Sequence, residues 1–101
     1  MVKKNSEMAA ATSFNFAKGF ADLANTYKEW NTVQVSEWVK EVIKLPQYCK
    51  LFEEIGIDGQ IIDCVTDDDL EKDIGISVRL HRVKIMNGIQ KLQVAYQNQP
   101  N

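Results

Sequence analysis

The apolar positions of this chain fall at helical spacing almost throughout, and the breaks between them carry capping and turn residues. Residues 1–12, MVKKNSEMAAAT, show no periodicity and read as a flexible leader. From Ser13 the pattern changes. Phe16, Phe20, Leu23 and Tyr27 stand at i, i+4, i+7 and i+11, one stripe of a helix. Phe14, Ala17, Ala21 and Ala24 widen the stripe, Lys18, Asp22 and Lys28 face away, and Ser13 is placed to cap its start. Gly19 costs such a helix about 1 kcal/mol relative to alanine, so tertiary contact must support it. Two readings stand for residues 13–29: a helical extension packed on the domain that follows, or a free amphipathic helix that docks a partner or a membrane surface. A mitochondrial targeting helix fits less well, because Glu7, Asp22 and Glu29 interrupt it and it has no arginine.

Trp30-Asn31 punctuates the chain, and Trp30 is placed to lock the extension to the rest. Asn31 followed by Gln34 forms a capping-box pattern, predicting a helix from Thr32 to about Lys44 that buries Val35, Trp38, Val39 and Val42. Pro46 opens a second helix as its first residue, running to Glu54, with Tyr48, Leu51 and Phe52 inward and Ile55 closing it. Gly56 is the expected left-handed stop. Gln60 to Val65 makes little more than one turn, burying Ile61, Ile62 and Val65. Thr66 with Asp69 repeats the capping pattern for a fourth short helix, anchored by Leu70 and Ile74 and ended by Gly75. Ser77 is the expected cap of a long last helix from about Val78 to Tyr96, its stripe being Ile85, Ile89, Leu92 and Tyr96 with Leu80 and Met86 in support. The tail, residues 97–101, is polar and expected to fray. No segment shows strand alternation of useful length. The pattern predicts an all-α fold.

Composition narrows the class. At 101 residues, with 45% hydrophobic and 26% charged side chains, the chain is one small globular domain with a short extension. A net charge of −2 argues against general nucleic-acid affinity. Cys49 and Cys64 form no CxxC pair, and His81 stands alone, so no metal cluster is visible; reduced thiols are the expectation. No apolar run approaches the ~20 residues that span a bilayer, and no secretory signal is present, which points to the cytoplasm, with the nucleus as the other option. The arrangement of charge is more informative than its sum. Between Glu53 and Asp73 lie nine carboxylates and one cation, Lys72, whereas Ser77 to Leu92 holds four cations and no carboxylate. A chain sorted this way can offer two surfaces of opposite sign.

The order of pieces resembles the sterile alpha motif, or SAM, domain over about residues 30–93. The matching stretches are WNTVQVSEWV (30–39), LPQYCKLF (45–52), IDGQII (57–62), TDDDL (66–70), IGI (74–76) and HRVKI (81–85). Leu80 departs from the family, which often has glycine before the His-Arg pair. The resemblance implies a five-helix bundle (residues 30–96 here) with a long C-terminal helix, to which this chain adds an N-terminal amphipathic helix. It also implies a protein-binding module, acting as scaffold or adaptor in signalling or assembly, that associates head-to-tail with itself or another SAM domain. Carried over, an acidic mid-loop face would draw on Glu54, Asp58, Asp63, Asp67, Asp68 and Asp69. A basic end-helix face would draw on Arg79, Leu80, His81, Arg82 and Lys84. On this reading Arg79→Glu or Arg82→Glu abolishes association and leaves the fold intact, and Asp68→Lys does the same from the opposite face.

The same residues also bear on other chemistry. Counting from Asp67, the sixth residue is Lys72 and the twelfth Val78, so a calcium loop fails for want of its Gly and Glu. The Asp run also serves simply to complement a helix dipole. His81 has no nucleophile motif beside it and is expected to pack near Trp38 or at the docking surface. No Gly-rich phosphate loop, GxSxG or HExxH is present, so neither enzymatic activity nor a cofactor is expected. Some SAM relatives bind RNA hairpins through a basic face near the last helix. Arg79, Arg82 and Lys84, with Lys40 or Lys44, are the residues such a role would use, against repulsion from the carboxylates nearby.

Overall fold

A computed structural model describes residues 23–98. The leader, most of the proposed extension (13–22) and the end of the tail lie outside the described residues. Five helices follow one another: α1 Thr32–Glu41, α2 Cys49–Ile55, α3 Gly59–Cys64, α4 Asp67–Lys72 and α5 Arg79–Gln97. Short 3₁₀ turns at Tyr27–Glu29 and Pro46–Tyr48 precede α1 and α2. The second turn corrects the single helix expected from Pro46.

Local chemistry sets most of the boundaries. The Asn31–Gln34 box starts α1 with both reciprocal bonds at 2.9 Å. Asp58 caps α3 by accepting from the Gln60 and Ile61 N–H groups, and Thr66 and Asp69 cap α4 reciprocally. Gly56 and Gly75 end α2 and α4 in the left-handed region, at φ 91° and 87°. Helix α1 stops at Glu41, three residues before the pattern suggested. Lys44 takes φ 67°, and the resulting turn drives Ile43 and Leu45 into the core. An extended helix could not have buried both.

The core is continuous. Trp38, Val35, Val39, Phe52, Ile62, Leu70, Ile76, Ile85, Ile89 and Leu92 are all fully buried. Helix α1 packs on α2 and α3, α3 packs on α5 and on the Tyr27–Glu29 turn, and α4 packs on α5. Gly88 makes the α1–α5 crossing possible: a Cβ there would collide with Ile43 Cδ1 and lie 3.0 Å from Trp38 Cζ2.

The segment before α1 belongs to this core. Ala24, Tyr27 and Trp30 are buried, Trp30 Nε1 donates to the Leu23 carbonyl at 3.2 Å, and the Gly59 N–H donates to the Trp30 carbonyl at 2.9 Å. Gly59 is required by that approach, since a Cβ would strike the Tyr27 carbonyl oxygen. Leu23 and Ala24 are helical, but Tyr27 sits in the 3₁₀ turn, so the sequence stripe does not run unbroken into it. Among the described residues, no helix is long and apolar enough to cross a membrane.

Candidate protein-docking site

The start of α5 is shaped by the loop before it. Gly75 turns the chain out of α4, Ile76 plugs the core, and Val78 takes the N-cap position in an extended conformation with no side-chain cap. Ser77 is therefore not the cap the sequence suggested. Its carbonyl instead accepts from Arg82 Nη1 at 3.2 Å, beside the Ile76 carbonyl at 2.9 Å. Arg82 Nε completes the fork by donating to Asp67 Oδ1 at 2.9 Å.

This overturns one expectation. Arg82 is only 7% exposed, and its guanidinium is spent on bonds within the chain. It lies beneath the basic corner, not on it, so Arg82→Glu would set a carboxylate against two carbonyl oxygens and Asp67. That change is therefore expected to cost stability and not association alone. The same pair shows that the acidic and basic regions adjoin, because Asp67 and Arg82 were expected on opposite faces.

The residues that do reach the surface at this corner are Val78, Leu80, Arg79 and Lys84. Leu80 is 65% exposed, which removes it from the core stripe where the periodicity placed it. A side chain of that size in water is an exposed apolar point, with Arg79 before it and Lys84 one turn on along the helix. His81 is half-buried and packs on Tyr48, not Trp38: the rings meet edge-on at 5.4 Å, and Nδ1 lies 2.6 Å from the Tyr48 hydroxyl.

The acidic residues separate into different jobs. Asp58 and Asp69 cap helices. Asp63 is drawn into a cluster with the N-terminal segment: it accepts from the Tyr27 hydroxyl and from Gln93 Nε2 (3.3 Å), and stands 3.9 Å from Lys28 Nζ. Lys28 in turn lies 4.6 Å above the Tyr96 ring. Burial, and then the hydrogen bond to Asp63, push the Tyr27 phenol well above its ordinary value. Glu54 and Asp68 stay exposed, Asp68 pairing with Lys72 at 3.2 Å one turn on.

Beside them lies a feature the sequence reading missed. Ile55, Ile57, Ile61, Cys64, Val65 and Ile74 line an open groove of about 210 Å³, with Asp69 and Asp73 along it. Ile61, expected in the core, and Ile55, expected to close its helix, are 46% and 47% exposed. Ile61 and Ile62 are neighbours in a six-residue helix, about 100° apart; Ile62 takes the core and Ile61 turns to the groove. Among the described residues, no group of three or more His, Cys, Asp or Glu side chains is placed to hold a metal.

The comparisons agree with this architecture. A family model described as SAM domain (sterile alpha motif) matches residues 27–93. The chain is similar to the NAD(+) hydrolase tir-1 of Caenorhabditis elegans, 33% identical over 73 residues, 72% of this chain and 7% of that protein. It is 33% identical to mouse (Mus musculus) Liprin-beta-1 over 72 residues, 71% of this chain and 7% of that protein. Mouse Kazrin is 31% identical over 61 residues, 60% of this chain and 8% of its own. The chain thus spans less than a tenth of the length of these relatives.

Proposed function

The chain belongs to the sterile alpha motif family, a protein-interaction module, and we propose that it docks head-to-tail on a second SAM domain through the two surfaces just described. On this reading the α5 corner, with Val78 and Leu80 as apolar centre and Arg79 and Lys84 around it, enters the groove of a neighbouring molecule. There Ile55 and Ile61 receive it, and Asp69, Asp73, Glu54 and Asp68 supply the opposing charge. The observation that carries the reading is this match of exposed apolar centres with rims of opposite sign. Apolar contact at the centre supplies most of the affinity, and the charges set rate and orientation. A contact between two different faces of one molecule is heterologous, so copies close into a ring or extend as a filament. Within a longer protein such a module acts as a scaffold or adaptor. The hydrolase activity named for tir-1 belongs to a protein matched over only 7% of its length, and a role in docking requires no catalytic group here.

The RNA reading loses support from the burial of Arg82, which leaves Arg79 and Lys84 as the exposed cations at this corner.

Sedimentation of wild type, Leu80→Glu and Ile61→Lys tests the proposal. Wild type should form concentration-dependent oligomers, each variant alone should be monomeric, and their equimolar mixture should stop at a heterodimer. A wild type that stays monomeric at high concentration would sink self-association, and a mixture that stays monomeric beside an oligomeric wild type would sink the head-to-tail geometry.

A further inference from the structure

We propose that Arg82 and Asp67 are positioning residues for the docking corner: they set where Val78 and Leu80 stand without touching the partner. This rests on the docking reading above. Helix α5 begins without a side-chain cap. Its first turn is tied to Val78 only by backbone bonds, from the His81 and Arg82 N–H groups to the Val78 carbonyl at 3.1 and 3.3 Å. The two residues before Val78 have their carbonyls gripped by one guanidinium group, at 2.9 and 3.2 Å. That guanidinium is aimed by Asp67, the first residue of α4, and α4 is itself fixed by the Thr66–Asp69 box. A continuous set of bonds therefore runs from the α4 cap through Asp67 and Arg82 to the loop that presents Val78 and Leu80. Lysine cannot replace this grip, because it lacks the planar fork that reaches carbonyls and carboxylate together.

The consequence runs against simple charge logic. Asp67 carries negative charge next to a basic corner, so its removal should, on electrostatics alone, strengthen that corner's attraction for an acidic groove. Positioning predicts the reverse. Asp67 is more than half exposed, so Asp67→Ala is a mild change to the core, and Arg82→Lys keeps the charge while losing the fork.

One-way pairs read each surface separately. Asp67→Ala/Ile61→Lys mixed with Leu80→Glu permits only the contact that uses the variant's α5 corner. Asp67→Ala/Leu80→Glu mixed with Ile61→Lys permits only the contact that uses its groove. Measured by titration calorimetry against the same pairs without Asp67→Ala, the first should weaken about tenfold or more, the scale of a lost charge-assisted bond, while the second stays within about twofold. Arg82→Lys should repeat the pattern. Methyl relaxation of Val78 and Leu80 should show increased motion in both variants. A first pair that is unchanged or tighter overturns the proposal, as does equal weakening of both pairs, which would mark a merely structural role. If the reference pairs fail to associate, the docking reading is wrong. Methyl relaxation then decides the positioning alone, and unaltered Val78 and Leu80 motion in both variants rejects it.

Discussion

Tyr27 donates its hydroxyl to Asp63 from a ring that is 1% exposed, with Tyr96 edge-on at 5.7 Å and Trp30 at 6.3 Å. Because its folded-state pKa is raised, the protonated form is the one the fold keeps. Stability from this residue is therefore complete below the unfolded value near 10 and declines as pH rises beyond it, when only the unfolded chain releases the proton. The decline should reach at most about 1.4 kcal/mol per pH unit and be absent in Tyr27→Phe, as denaturant titrations above pH 10 would show. Arg82 gives a second residue-scale prediction. Arg82→Glu should cost about 3–5 kcal/mol, the penalty for breaking a buried ionic group, and chemical denaturation should register it before any binding assay is attempted. Arg79→Glu, on an exposed neighbour, should leave the denaturation midpoint within the error of the measurement.

At the scale of elements, helix starts are unequal. Helices α1, α3 and α4 carry side-chain caps, and α5 carries none. Asn31→Ala should cost about 1 kcal/mol, as should Thr66→Ala, whereas Ser77→Ala should cost almost nothing, which thermal melts of the three variants would separate. This contrast also explains what the sequence disclosed. The Asn31–Gln34 and Thr66–Asp69 boxes were legible because the bonds that make them span three residues, and the glycine stops because theirs stay within six. Ser77 was misread because the helix starts one residue later, with Val78 in the N-cap position, while the Ser77 carbonyl accepts from Arg82. Ile61 was assigned to the core and Ile55 to the close of its helix on their apolar character, yet α2 buries Phe52 and α3 buries Ile62, and Ile55 and Ile61 line the groove instead. Gly88 was passed over because its role exists only where α5 meets Ile43 and Trp38. The acidic and basic regions proposed to dock were suggested by the sorting of charge along the chain. Which charges cap, pair or remain exposed was settled by packing.

At the scale of the molecule, the acidic and basic regions meet at the Asp67–Arg82 ion pair, so the two surfaces proposed to dock adjoin in each copy. Charge and apolar contact should then separate in the kinetics of the proposed assembly. Raising ionic strength from about 0.01 M to about 0.15 M shortens the screening length from about 30 Å to about 8 Å. The association rate of the Leu80→Glu and Ile61→Lys pair should fall about tenfold over that range, with the dissociation rate changed less than about twofold. Replacing Ile55 with alanine in the groove-bearing partner should do the opposite: dissociation about tenfold faster or more, with the salt dependence of association unchanged. Arg79→Gln in the corner-bearing partner should flatten the salt dependence and leave dissociation close to the parent value. Stopped-flow and surface-capture measurements on this pair distinguish the cases. A dissociation rate that follows salt as steeply as association would place the affinity in the charged rims, and the apolar centre of Val78, Leu80, Ile55 and Ile61 would lose the role assigned to it.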